Sequence, residues 1–241
     1  MTRSRRAAGP ASTGPAAPTI CRVGTCTVWW AAPLAPGDAP GLLDLLDAHE
    51  RARIGRFRRD LDAARYLAAH ALTRLVLAAR LDADPAALTF DRTCRCGEQH
   101  GKPRLAHDGP GFSMTHAGDL VGLAVHDGPV GLDVEQARPL PDLAGMTAHA
   151  CSPDETVADE AEFFRLWTRK EALLKSTGEG LSTPMSEITL TPDGGVRWAG
   201  RRVWLHDLSP APGHPAALAG PGPAAPDVVE ADGDALLRTR P

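Results

Sequence analysis

Residues Phe112 to Glu135 read FSMTHAGDLVGLAVHDGPVGLDVE, which is two strands or more with a turn at Asp127-Gly128. This extended stretch lies between two helical ones, and that order constrains the fold more than any other feature. Upstream, DAARYLAAHALTRLVLAARL (Asp62 to Leu81) places Leu67, Ala71, Leu75 and Ala78 at helical spacing, and Pro85 then breaks the pattern. A helical region is expected before it, from Leu42 through Leu45, Leu46, Ile54 and Phe57. CTVWWA (Cys26 to Ala31) reads as a first strand.

Downstream, SPDE (Ser152 to Glu155) has the form of a helix start, with Ser152 as N-cap, Pro153 at the first position and Glu155 closing a capping box. The long helix EAEFFRLWTRKEALLKSTGEG follows, with Phe163, Leu166, Leu173 and Leu174 as its apolar contacts and Gly178 as its stop. SEITLTPDGGVRWAGRRVWLHDL alternates like a hairpin around Asp193-Gly194-Gly195. Strand, helices, strands, helix, strands is the order of an α+β protein in two halves, with the break near Asp127 to Val130. VGLAV (121–125) and VGLDV (130–134) echo one another faintly. The expected division is a disordered tail over 1–20, an N-terminal half over 21–127, and a C-terminal half over 128–210. A Pro-, Ala- and Gly-rich segment over 211–241 is expected to hold a last strand and a loose tail.

Composition narrows the function. The 241 residues carry a net charge of −4, with neither a basic field for nucleic acid nor an acidic block. Five unevenly spaced cysteines do not form a secreted disulfide framework. No stretch offers the roughly 18 apolar residues of a membrane span, and Pro and Gly interrupt the first 20 residues, so no signal peptide is read there. The expectation is a soluble, cytoplasmic protein with no nucleic-acid or membrane partner.

In a strand, Asp133 and Glu135 share one face while Leu132 and Val134 share the other. Two adjacent like charges repel. Such a pair is ordinarily a solvated face; the alternative is a hard divalent cation such as Mg²⁺, which takes carboxylate oxygens and is completed by water and phosphate. In WTRKEALLK, Glu171 and Lys175 lie at i, i+4, and Trp167 lies at i−4 from Glu171. An ordinary surface salt bridge explains that spacing. A third carboxylate facing the first two, with a lysine one turn on, suits a metal-bound pyrophosphate. Thr115 and His116 stand at a strand end near a glycine. Arg53, Arg65, Arg74 and Lys102 form a basic set that a phosphate-rich ligand would recruit. Cys94, Cys96 and His100 are soft ligands, but three do not close a structural zinc site.

Taken in order, GKP (Gly101 to Pro103), FSMTHAGD (Phe112 to Asp119), VGLDVE (Val130 to Glu135) and FFRLWTRKEALLKSTGEGL (Phe163 to Leu181) resemble the Sfp-type 4′-phosphopantetheinyl transferases. The last two are similar to that family's G-[IL]-D-[IV]-E and W-x-x-K-E-A-x-x-K signatures, and the resemblance spans about Arg51 to Leu190. It implies two similar α+β halves in pseudo-twofold relation, with coenzyme A in the cleft between them. It implies transfer of the phosphopantetheine arm of coenzyme A to a serine of an apo acyl or peptidyl carrier protein, with release of 3′,5′-ADP. Asp133, Glu135 and Glu171 then resemble the Mg²⁺ ligands, and Lys175 the pyrophosphate lysine. Glu171 and Lys175 are the catalytic pair, with Glu171 the candidate base. Arg53, Arg65, Lys102, Pro103, Thr115 and His116 match coenzyme A-binding positions. Thr115 stands where serine is commoner, and Glu50 where some members are basic. The length fits the single-chain, monomeric members that serve polyketide and nonribosomal peptide synthases. The alternatives are another Mg²⁺-dependent phosphate-transfer enzyme, or a non-catalytic coenzyme A-binding module.

Overall fold

A computed structural model describes residues 24–238 except 95, 96, 100, 179, 181 and 182. The expected tail over 1–20 lies outside the described residues, as do Cys96 and His100. The chain runs β1 (Thr25–Ala31), α1 (Pro40–Leu43), α2 (Ala48–Ile54), α3 (Asp60–Leu81), β2 (Phe90–Asp91), β3 (Arg104–Leu105), β4 (Gly111–Ala117), β5 (Leu120–His126) and β6 (Gly131–Val134). It continues with α4 (Leu143–Ala150), α5 (Glu160–Thr177), β7 (Thr189–Leu190), β8 (Val196–Arg197), β9 (Val203–Ala211), β10 (His214–Pro221), β11 (Asp227–Asp232) and α6 (Gly233–Leu237).

One plan occurs twice. A strand, a long helix, a short hairpin and two antiparallel strands make up β1, α3, β2–β3, β4 and β5; the same series is β6, α5, β7–β8, β9 and β10. The sheets repeat it in strand order, β1-β5-β4 and β6-β10-β9, and β11 joins the first sheet alongside β1. α3 packs on β5 and β4, and α5 packs on β10 and β6. These are the two α+β halves expected. The VGLxV echo is not the trace of this repeat. It relates β5 to β6, whereas the topological counterpart of β6 is β1.

Each half has its own core. Leu67, Ala68, Ala71 and Leu72 of α3 pack with Leu123 and Val125 of β5, and Phe163, Leu173 and Leu174 of α5 pack with Ala217 and Ala219 of β10. A third core joins the sheets, with Cys26, Val28, Ala124, Leu132, Val134 and Leu218 in it. Among the described residues no helix is long and apolar enough to cross a membrane.

Three sequence expectations change. The helical region from Leu42 is two short helices, because Asp47 caps α2 and Glu50 closes its capping box. SPDE does not start α5. Glu155 does turn back to the Ser152 N–H at 2.7 Å, but its other oxygen accepts from Leu190 N–H and its carboxylate pairs with buried Lys170, which hold it in a turn. The α5 N-cap is Asp159, and Gly178 ends the helix in the left-handed region (φ 73°) as expected. Over its described residues, 211–238, the C-terminal segment is not a loose tail. β10 is the central strand of the second sheet, its Ala and Leu residues being those of a buried strand, and Pro215 and Pro221 sit near its ends.

Arg74 is not a phosphate-binding residue. It is fully buried and donates to Glu50 (2.8 Å), Asp47 (3.0 Å) and the Pro85 and Leu88 carbonyls (both 3.0 Å). Glu50 is equally buried and also accepts from Arg92 and pairs with His70. Burial acts to raise the Glu50 pKa, but the His70 hydrogen bond and the charges of His70 and Arg74 bring it down to about 2. The acid at this position therefore anchors α2 to α3 rather than meeting a ligand.

The Gly131 site shows how closely α5 approaches β6. A Cβ there would lie 1.9 Å from the Ala172 carbonyl oxygen and 2.5 Å from the Ser176 nitrogen. That backbone cannot yield without lifting the helix off the strand.

Arg74→Met removes the buried cation that joins Glu50, Asp47 and the Pro85 and Leu88 carbonyls, leaving Glu50 its bonds to Arg92 and His70, and is expected to cost about 3 kcal/mol in urea unfolding; a loss under about 1 kcal/mol contradicts the network. Because the Glu50 pKa falls from 4.5 to about 2 on folding, its contribution is present above pH 4.5 and disappears as pH drops toward 2. Gly131→Ala is expected to lower the melting temperature and separate α5 from β6; an unchanged melting temperature contradicts the close approach.

Candidate active site

The site is built on the outer edge of β6. Its inner edge pairs with β10, Asp133 opposite Ala217. The outer edge faces β4, and side chains rather than a backbone ladder satisfy it. Leu132 N–H donates to Ser113 Oγ at 3.0 Å and Val134 N–H to Thr115 Oγ1 at 3.1 Å. The Val130 carbonyl accepts from Lys102 Nζ at 2.7 Å and the Leu132 carbonyl from Lys175 Nζ at 3.1 Å. Unpaired backbone groups in such a buried strand would cost about 1–3 kcal/mol each, so these four side chains hold β6 in place.

Alternation then points Asp133 toward α5, with Leu132 and Val134 in the inter-sheet core. Asp133 Oδ1 accepts from Lys175 Nζ at 2.6 Å and from Thr115 Oγ1 at 3.2 Å. Among the described residues, Asp133 Oδ2 is buried with no hydrogen-bond partner. Burial raises the Asp133 pKa against the lowering pull of Lys175 and Thr115. Glu135 is pushed up by burial and then by Asp133, and Glu171 by burial and then by Asp133, with Glu135 adding to it. All three carboxylates therefore feel one another. Among the described residues, however, no three His, Cys, Asp or Glu side chains are gathered closely enough to hold a metal. Asp133 turns one oxygen to Lys175.

The residues present fit a hard cation in chemistry. Asp133 Oδ2 is an orphaned buried acceptor, and the three mutually repelling carboxylates are the oxygen donors that Mg²⁺ prefers.

Beside them is a cleft of about 300 Å³ between the halves. Thr115, His116, Asp133, Glu135 and Lys175 line it, as do Tyr66 and His70 of α3. Burial, Lys175 and Arg65 lower the His116 pKa. Tyr66 and His70 were not found from sequence. Their rings stack with centroids 3.9 Å apart, and the Phe57 ring lies 5.4 Å beyond Tyr66. The signal was their i, i+4 spacing in an Ala-rich helix, which reads equally well as core. Ser113 was missed too; it shares a strand face with Thr115.

The other expected residues lie differently. Arg53 is exposed on α2, its guanidinium 5.3 Å from the Phe57 ring centroid, at the outer end of this aromatic row. Arg65 gives its guanidinium to the Gly118 carbonyl and to Asp62. Lys102 donates to backbone carbonyls, and Pro103 lines a separate cavity of about 430 Å³ behind it. Trp167 packs on the Phe163 ring at 5.7 Å, in the second core.

Comparison with known proteins agrees with this arrangement. A model of the N-terminal domain of 4′-phosphopantetheinyl transferases matches residues 36–128, and one of the 4′-phosphopantetheinyl transferase superfamily matches 129–213. A Synechocystis protein bearing the 4′-phosphopantetheinyl transferase name is 33% identical over 172 residues, 66% of this chain and 68% of its own length. HetI of Nostoc is 34% identical over 161 residues (61% and 66%), and psf-1 of Bacillus pumilus 36% over 157 (60% and 64%). The matched segment thus spans about two thirds of each relative. With the duplicated α+β plan, the carboxylates of β6 and α5 and the cleft beside them, these matches show that the chain belongs to the 4′-phosphopantetheinyl transferase superfamily.

Proposed function

We propose that the chain transfers the phosphopantetheine arm of coenzyme A to a serine of acyl or peptidyl carrier proteins of polyketide or nonribosomal peptide synthases, as a cytoplasmic monomer. The single observation that carries the site assignment is that Asp133, Glu135 and Lys175 line one cleft between the two halves, with the Glu171 carboxylate near enough to feel Asp133 and Glu135. The halves are proposed to divide near residue 128, between β5 and β6.

Asp133, Glu135 and Glu171 would hold Mg²⁺, which when bound supplies charge neutralisation for the diphosphate. Lys175 leaves its bond to Asp133 for the diphosphate oxygens, while Thr115 and His116 hold the same ligand from β4. Arg53, at the end of the Phe57–Tyr66–His70 row, would meet the 3′-phosphate. Serine Oγ forms the new bond to the β-phosphorus, the bond from that phosphorus to the bridging oxygen breaks, and 3′,5′-ADP departs with the electron pair. Glu171 accepts the serine proton.

Pure protein with coenzyme A, Mg²⁺ and apo carrier is expected to add one phosphopantetheine mass to the carrier, with no gain when Mg²⁺ is chelated. No gain on any of several peptidyl and acyl carriers contradicts the function. Asp133→Ala is expected to abolish transfer, by about a thousandfold or more if the metal is lost, while far-ultraviolet circular dichroism stays that of the wild type. Transfer within about tenfold of wild type contradicts the role of Asp133.

A further inference from the structure

Lys102 sits in the 92–103 connection between β2 and β3, in the first half of the chain. Its side chain does not turn to the cleft. Nζ donates to the Val130 carbonyl at 2.7 Å and to the Lys175 carbonyl at 2.9 Å. An ammonium has three N–H donors, and two are spent on backbone. The acceptors are informative. Val130 immediately precedes β6, two residues from Leu132, whose carbonyl Lys175 itself holds. Lys175 lies in the last turns of α5, one turn after Glu171. Lys102 and Lys175 thus cross-link the same strand and the same helix at two successive levels.

We propose that Lys102 is a positioning residue for the transfer reaction: it pins the start of β6 to the end of α5 and thereby sets where Asp133 meets Lys175 and Glu171. This rests on the transferase reading above. It differs from a phosphate contact, in which the ammonium would face the cleft. Lys102 is absent from the cleft lining and present in that of the cavity behind, with Arg104, His107 and Thr177. Burial, with Arg104 and Lys175 nearby, lowers its pKa to about 7, and a neutral amine can still donate both bonds. The last turn of α5 is a favourable place for a donor, because its carbonyls form the negative end of the helix, and the Lys175 carbonyl, which among the described residues otherwise takes only a long bond of 3.3 Å from the Gly178 N–H, has a lone pair to spare. The Gly131 approach explains why a second clamp is needed. α5 and β6 touch backbone to backbone there, so a small slip at the helix end displaces the side chains of both elements together.

The test is Lys102→Ala, measured three ways. Calorimetry reads the coenzyme A Kd, the carrier assay reads kcat, and amide hydrogen exchange reads residues 130–134 and 172–178. A clamp predicts a Kd within about threefold of wild type, a kcat down by about tenfold or more, and faster exchange in both segments. Propylamine, entering from the 430 Å³ cavity, is expected to restore part of kcat. A Kd weakened about tenfold or more with kcat intact overturns the proposal, as does unchanged exchange in both segments. Should the alanine variant not fold, Lys102→Met keeps the stem and is read by the same measurements. If wild-type protein modifies no carrier, the transferase reading fails separately, and the exchange data still decide whether Lys102 is a clamp.

Discussion

The outer edge of β6 faces β4 with no backbone ladder between the two strands, and the rest of the site depends on how that edge is satisfied. Leu132 N–H, Val134 N–H and the Val130 and Leu132 carbonyls find Ser113, Thr115, Lys102 and Lys175. Two hydroxyls come from β4, one lysine from a loop of the first half, and one from α5. A backbone ladder with β4 would have merged the two sheets into one. Side-chain capping instead joins them while leaving Thr115, Asp133 and Lys175 on the wall of a cleft. The residues that hold the strand are in large part those that would meet the ligand.

The arrangement carries an electrostatic cost that a ligand can relieve. Asp133 raises the pKa of both Glu135 and Glu171, burial raises its own, and among the described residues one of its buried oxygens has no hydrogen-bond partner. Lys175 offsets part of this by bonding the other oxygen of Asp133 at 2.6 Å. A cation and a diphosphate arriving together would satisfy the carboxylates and free the lysine in one exchange of partners. The Arg74–Glu50 network behaves differently. Both side chains are fully buried and mutually paired, so it holds α2 on α3 with no vacancy for a ligand.

Much of this was legible in the sequence. Strand alternation placed Asp133 and Glu135 on one face and Leu132 and Val134 in the core, and helix spacing placed Glu171 and Lys175 together. The two-half organisation followed from element order. What was not legible depended on long-range contacts. Arg74 and Arg53 look alike in a list of helical arginines; only packing shows that one is enclosed by Asp47 and Glu50 while the other is exposed. Glu155 reads as a helix cap until Lys170, fifteen residues on, claims its carboxylate. The prolines near β10 suggested a loose segment, yet they fall near the ends of a central strand. Lys102 matched a ligand-binding motif, but its acceptors are carbonyls 28 and 73 residues away.

The dependence of the site on the β6 edge is measured most directly by residue-resolved amide exchange of Leu132 and Val134, in wild type and in Thr115→Val. Both amides are expected to be protected like core amides in the wild type. In Thr115→Val, which keeps the shape and removes the acceptor, Val134 is expected to exchange about tenfold faster or more while Leu132, bonded to Ser113, changes little. A Val134 amide that exchanges freely in the wild type, or at the same rate in both proteins, would contradict side-chain capping of the strand.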